Sequence, residues 1–415
     1  MRLFFSVGEP SGDLHGANLI RALQEARPDW QFVGYGGPRM ASAGCVLQAD
    51  LTALAVMWIT RVLANLHKFL HLLWRADRYF RDHRPDAVVL IDYPGFNWWI
   101  ARRAKARGIP VFYYGTPQVW AWASHRVKKM QRYVDHVLCK LPFEEPWFRE
   151  RGCHATYVGH PYFDELRSQR LDESFVRDMR RPSGPLVVIL PGSRTQEVEA
   201  NTMSFLKAAQ RIAGAVPGVR FAVAAFKQTQ ADAVRTLAAA AGVPVEVHVG
   251  RTAELIHAAD CCMACSGSVS LELLYHAKPS VVLYQIGRLG FAIQSRFRRA
   301  RYITLVNLLT APNIATARPA WLYDPQHPDD AHVLIPEYLA WTDKSQELAG
   351  HVIHWLADPQ ARAERSLALA ALREKYGQGG ASQRAAAYIA RALGASKPGA
   401  YAAHAAHEAP AADAA

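Results

Sequence analysis

The chain has 415 residues, half of them hydrophobic and one-fifth charged, and carries a formal net charge of +12. That composition excludes disorder over most of the length, and the length favours two domains over a single core. No apolar run reaches the roughly 18 residues a spanning helix needs, and the apolar stretch in the opening MRLFFSVGEP is too short for a signal peptide, so a cytoplasmic protein is expected.

Six cysteines show no disulfide framework, and the lone pair Cys262 and Cys265 reads as small hydrophobes in a buried strand. No metal cluster or cofactor is expected. The positive charge fits an anionic partner: nucleic acid, an anionic membrane surface or phosphorylated substrates. Its two clusters are Arg288, Arg296, Arg298, Arg299 and Arg301, and His125, Arg126, Lys128, Lys129 and Arg132. Neither is interleaved with aromatics and there is no zinc finger, so nucleic acid is set aside.

In chain order, residues 3–7 form a short strand, and GEPSGDLHGA (8–17) is a small-residue turn feeding a helix. Its glycines do not follow GxGxxG, so the reading is a turn where a substrate approaches the backbone, with Glu9, Ser11, Gly12 and Asp13 as candidates. Residues 31–35 give a second strand. From 58 to 75, Ile59, Val62, Leu63, Leu66, Phe69, Leu70 and Leu73 recur at helical spacing between Trp58 and Trp74. A core-facing stripe and an interfacial helix both fit this pattern. The expectation is a mixture, with the inner edge packed and Val62, Leu66 and Phe69 exposed as membrane contacts.

The strand at 87–91 ends in Asp92, an acid aimed into a cleft and a candidate general base; capping the next helix is the competing role. Residues 111–114, 137–138 and 155–158 are further strands, His160 reads as a structural loop residue, and polar residues 167–184 read as a linker.

LVVILPGSR (186–194) opens the second half with a buried strand, a Gly turn and a helix start. Free backbone N–H groups at such a start, with the guanidinium of Arg194 beside Ser193, form an anion site. A second strand, 261–265, runs into Ser266, Gly267 and Ser268 and a helix carrying Glu272, placed to accept two ribose hydroxyls. Two such turns suggest a nucleotide held at the carboxyl ends of the strands. Strands at 186–190, 220–225, 245–249, 261–265 and 280–284 alternate with helices, so the fold class is α/β, with two Rossmann-like doubly wound domains. The divisions are 1–168, 185–344, C-terminal helices 345–394 returning to the first domain, and a disordered tail 395–415.

The stretches GEPSGDLHGANLIRAL, GGPRM, LAVM, PDAVVLIDYPGFN, VWAW, LPFE, VGHP, LPGSRTQEV, SGSVSLE and NLL occur in this order. Together they resemble the lipid-A-disaccharide synthase family, inverting glycosyltransferases of GT-B type whose two domains face across a cleft. The resemblance implies transfer from UDP-2,3-diacylglucosamine to 2,3-diacylglucosamine 1-phosphate, a β-1′,6-linked disaccharide phosphate, and released UDP. Asp92 matches the family's catalytic Asp, and Asn307 a position lining the donor site. Partners implied are the two acylated sugars and the cytoplasmic face of the inner membrane; an oligomer is compatible. The chain departs from the family pattern at Gly95, where a second Asp is usual, and at Val306, where Pro is usual; the first bears on acceptor handling. Two other readings stand beside this one: a UDP-GlcNAc 2-epimerase-like isomerase with a similar SGS-x-x-x-E loop, and a non-catalytic nucleotide- or lipid-binding relative.

Overall fold

The structure, a computed structural model, describes residues 1–55, 66–314 and 322–395. The chain forms two compact units: Met1–Val119 with His125–Asp164 and the residues from Gly379 onward, and Trp120–Ser124 with Glu165–Gln378.

The first unit is a parallel sheet of β1 (Arg2–Val7), β2 (Gln31–Gly36), β3 (Val46–Asp50), β4 (Ala87–Ile91), β5 (Val111–Tyr114), β6 (His136–Cys139) and β7 (Ala155–Tyr157), in the order β3-β2-β1-β4-β5-β6-β7. The inner strands β1, β4 and β5 have almost no polar residues because helices cover both sheet faces. Strand order reverses between β1 and β4, and the register Val7↔Ile91 sets the turn after β1 beside Asp92. On one face Phe4 makes edge contacts with Tyr35 and Phe80. On the other, Leu19, Ile20 and Leu23 pack with Ala385, Ala386 and Ile389 of the last helix, Ala381–Ala395. Asp164 caps that helix, accepting from the N–H groups of Gly380, Ala381 and Ser382 at 2.6, 3.1 and 2.9 Å.

The second unit is a parallel sheet of β8 (Leu186–Leu190), β9 (Arg220–Ala225), β10 (Glu246–Val249), β11 (Cys261–Cys265), β12 (Ser280–Gln285) and β13 (Glu337–Ala340), in the order β10-β9-β8-β11-β12-β13. Its switch point lies between β8 and β11, the strands feeding the two small-residue turns. All six cysteines are free and buried, Cys262 and Cys265 within β11.

Three expectations need correction. The polar stretch 167–184 contains the helix Glu173–Arg180, capped by Asp172 and burying Val176 and Met179, so it is part of the second unit rather than a linker. The helix Ser345–Ala357 packs on Thr195–Ala215 in the second unit; of the C-terminal helices only Ala381–Ala395 joins the first. The helical pattern after 358 forms two helices, Pro359–Tyr376 and Ala381–Ala395, parted at a stretch where Gly380 takes φ +88°. Finally, Phe69 is buried against Phe96 (ring centroids 5.8 Å) and is not a surface contact. Leu66 is exposed, as are Leu70 and Trp74. Val62 and the tail 396–415 lie outside the described residues.

Candidate active site

In the first unit, Asp92 follows β4 with φ +45°, and Tyr93 follows it at +44°. Two consecutive non-glycine residues in the left-handed region cost about 1–3 kcal/mol each, so the surroundings must impose the turn. They do: the buried amide of Asn97 donates to the carbonyls of Ser6, Ile91 and Asp92 at 3.1, 3.3 and 2.9 Å. The Tyr113 hydroxyl adds a 2.6 Å bond to the Asp92 carbonyl. Gly8 is required here, since a Cβ on it would sit 2.2 Å from the Tyr93 ring.

The Asp92 carboxylate accepts from the Lys140 ammonium at 3.0 Å, with side-chain exposures of 19% and 13%, so the pair is largely desolvated. Lys140 follows β6, where the buried carboxylate of Glu144 accepts from the Lys140 and Leu141 N–H groups, both at 3.0 Å. Burial disfavours the ammonium, but Asp92 and Glu144 outweigh it, and the Lys140 pKa lies above the usual lysine value. A Cβ at Gly115 would come within 3.3 Å of the Asp92 carboxylate. Burial lowers the His15 pKa to about 4 against the pull of Asp92, so His15 is neutral near pH 7, and its Nδ1 has no partner among the described residues. Burial, reinforced by Lys140 and His15, also holds the His160 pKa well below the usual histidine value. Sequence reading found Asp92 but missed Lys140 and Asn97; Lys140 was visible as a lone cation ending an apolar strand.

The four residues of the first turn divide. Glu9 and Ser11 are exposed at the start of the helix Pro10–Ala26. Gly12 is a packing residue, where a Cβ would meet Val7 at 2.9 Å. Asp13 is not available to a substrate. Its buried carboxylate accepts from the N–H groups of Gly37, Arg39 and Met40 at 2.9, 3.0 and 3.1 Å and fixes the turn after β2.

In the second unit, the turn after β8 is not an open anion cradle. Glu197 Oε2 accepts from the N–H groups of Ser193 and Arg194, both at 3.1 Å, and Oε1 pairs with the exposed Arg194 guanidinium at 3.0 Å. Glu197 thus caps the helix start from its third position, the glutamate half of a capping box, and that Glu three residues after the cap is legible in SRTQEV. Gly192 at φ +137° lets Glu197 fold back, since a Cβ there would lie 2.4 Å from that of Glu197.

The turn after β11 is more accessible. Gly267 and Ser268 are exposed, with open space where a Gly267 side chain would stand. Ser266 is tied by its hydroxyl to the Ile303 carbonyl at 3.0 Å, and Glu272 is buried in the first turns of the following helix. Asn307 does not reach this surface. Fully buried, it donates to Ile335 O and Glu337 Oε2 at 2.7 and 2.9 Å and accepts from Ile335 N at 3.1 Å. Glu337 also accepts from the N–H groups of Ile303 and Thr304 at 2.6 and 2.9 Å, and burial raises its pKa. Asn307 and Glu337 thus brace the segment that holds Ser266. Glu337 lies on β13, a four-residue strand whose polar first residue conceals it in the sequence.

The lipid-A-disaccharide synthetase family matches residues 3–334 of this chain. The chain belongs to that family. The lipid-A-disaccharide synthase of Trichlorobacter lovleyi is 32% identical over 94% of this chain and 96% of its own length. That of Methylobacillus flagellatus is 35% identical over 82% and 90%. The chain is accordingly a hexosyltransferase of lipid A biosynthesis. Solved structures share the fold. A putative UDP-N-acetylglucosamine 2-epimerase from Listeria monocytogenes superposes with TM-score 0.63 at 11% identity, covering 95% of this chain and 97% of that one. A glycosyltransferase from Rickettsia africae gives 0.56 at 10%, covering 95% and 99%. At such identities the likeness is one of architecture, two parallel-sheet α/β domains of GT-B type, and the epimerase reading falls to the family match.

Proposed function

We propose that this family member transfers the diacylglucosamine unit of a UDP-activated acylated sugar to the 6-hydroxyl of an acylated glucosamine 1-phosphate, with inversion. The acceptor oxygen bonds to the donor's anomeric carbon as the bond from that carbon to the diphosphate breaks. The hydroxyl proton passes to Asp92, and UDP departs. A general base of this kind contributes roughly 10²–10⁴-fold. The observation that carries the reading is the Asp92 carboxylate itself, aimed by a strained, clamped turn and paired with the Lys140 ammonium at 3.0 Å. Glu9 and Ser11 stand at the same edge for the acceptor. The Ser266–Ser268 turn, Glu272 and Arg194 supply the ribose and phosphate contacts for UDP.

Acylated substrates place the enzyme at an anionic membrane surface on the cytoplasmic side. No described helix is long and apolar enough to cross a membrane. The helix Leu66–His83 offers an exposed stripe of Leu66, Leu70 and Trp74, with Arg78 over the Trp74 ring at 5.7 Å. The test combines both acylated substrates with the purified protein, follows UDP release, and reads the anomeric configuration of the product by NMR. A β-linked disaccharide phosphate is expected. An α-linked product refutes inversion, and no disaccharide refutes the reading.

A further inference from the structure

The helix Arg288–Phe297 follows β12 in the second unit, and none of its residues is buried. An amphipathic helix normally turns its apolar side inward; this one turns it out. Leu289 is 75% exposed, Ile293 52% and Phe297 55%. Spaced four apart, they fall within an arc of about 80°, with Arg296 about 20° beyond its Leu289 edge. Arg288 lies over the exposed ring of Trp341 at 5.2 Å. Beyond the helix, the N–H groups of Arg299 and Ala300 bond the Ala121 carbonyl at 2.7 and 3.1 Å, which brings the exposed Trp122 to its C-terminal end.

The chain segment that carries this stripe has charge of one sign. Residues 273–323 contain no Asp or Glu. Arg301 is held by Asp329 and Asp330, while Arg288 and Arg296 are exposed. Aliphatic and aromatic side chains rimmed by arginine and tryptophan, with no acid among them, complement acyl chains beneath anionic headgroups.

We propose that the helix Arg288–Phe297, flanked by Trp122 and Trp341, is a membrane-docking element of the second unit. It lies in the plane of an anionic bilayer with Leu289, Ile293 and Phe297 among the acyl chains and Arg288 and Arg296 at the headgroups. This deepens the reading of an enzyme that takes lipid substrates, on which it rests. It is separate from the Leu66–Leu70–Trp74 stripe, which belongs to the first unit.

The experiment uses the full chain with Ile293→Ser and Phe297→Ser together, and vesicles of phosphatidylglycerol with phosphatidylcholine. Partition measured by co-sedimentation falls at least tenfold, the melting temperature is unchanged because both side chains are exposed, and transfer between detergent-dispersed short-chain substrates keeps its rate. Arg296→Gln weakens binding to anionic vesicles and leaves binding to pure phosphatidylcholine unchanged. Unaltered partition in the double variant overturns the proposal. So does a change in molecular mass by light scattering with partition intact, which makes the stripe a contact between copies. Should the wild type fail to make a disaccharide while its vesicle binding still depends on Ile293 and Phe297, the catalytic reading falls and the docking helix stands.

Discussion

The turns after β4 and β8 are built from the same parts, a buried strand, a tight turn and a helix start, yet they are left in opposite states. At β4 the backbone is held in a costly conformation, and Asp92 and Lys140 face each other largely out of water, near a His15 nitrogen with no partner among the described residues. At β8 the same kind of turn is closed on itself, because Glu197 takes the N–H groups a phosphate would use. A helix N-terminus therefore attracts an anion only when its own first turn does not already supply one. The β4 turn leaves its carboxylate paired only with a lysine side chain, while the β8 turn already holds an internal anion.

Removing the charge at the β4 turn is the severest test of this contrast. Asp92→Asn lowers turnover by about 10²–10⁴-fold with UDP affinity retained. It also strands the Lys140 ammonium, so the melting temperature drops, by less than the roughly 3–5 kcal/mol of a fully buried broken pair because both groups keep some exposure. Adding Lys140→Met restores the stability and not the rate. Near-normal turnover in Asp92→Asn ends the general-base assignment.

UDP binding probes the other side. Glu272→Ala and Arg194→Ala each weaken UDP by roughly ten- to a hundredfold, the worth of one charge-assisted contact at about 1.5–3 kcal/mol. Only the Arg194 effect shrinks with added salt, since its side chain is exposed and that of Glu272 is not. Unchanged titration calorimetry in both variants places the nucleotide elsewhere.

Lys140→Met should act through Asp92 alone. It lowers kcat by about tenfold, with little change in the UDP dissociation constant, as expected for a lost neighbouring charge worth about 1.4 kcal/mol. Lys140→Arg, which keeps a cation beside the carboxylate, retains most of the rate; a merely structural role is disturbed by both substitutions alike.

These contrasts also mark what the sequence could reveal. Eleven of the thirteen strands among the described residues are legible, the inner ones as apolar runs because parallel strands covered on both faces leave little room for polar residues. β3 and β13 escape, the first because VLQAD is a half-exposed edge strand, the second because Glu337 opens a four-residue strand. Asp92 is legible from its place at a strand end. Asp13 and Asn307 look like ligand contacts for the same reason they are in fact structural. A polar residue near a loop reads alike whether it faces a substrate or binds backbone groups folded back from elsewhere in the chain, and only three-dimensional contacts separate the two. Phe69 and Leu66 make the same point: adjacent helical stripes differ in burial by what packs over them, which periodicity does not encode.

The smallest expected effect is the most telling for the β8 turn. Glu197→Gln keeps an acceptor for the Ser193 and Arg194 N–H groups but removes the negative charge, whereas Glu197→Ala removes both. Loss of the cap costs about 0.5–2 kcal/mol, so the Ala variant melts lower and the Gln variant scarcely changes. If the diphosphate of UDP takes the place of the Glu197 carboxylate, both variants bind UDP more tightly, by about two- to tenfold, the effect of relieving roughly 0.5–1.4 kcal/mol of charge repulsion at a helix start. The gain is larger in Ala, where the amides stand free. If UDP instead rests wholly on the Ser266–Ser268 turn and Glu272, neither substitution alters its affinity, and the β8 turn is a structural cap whose resemblance to a phosphate loop is one of shape alone.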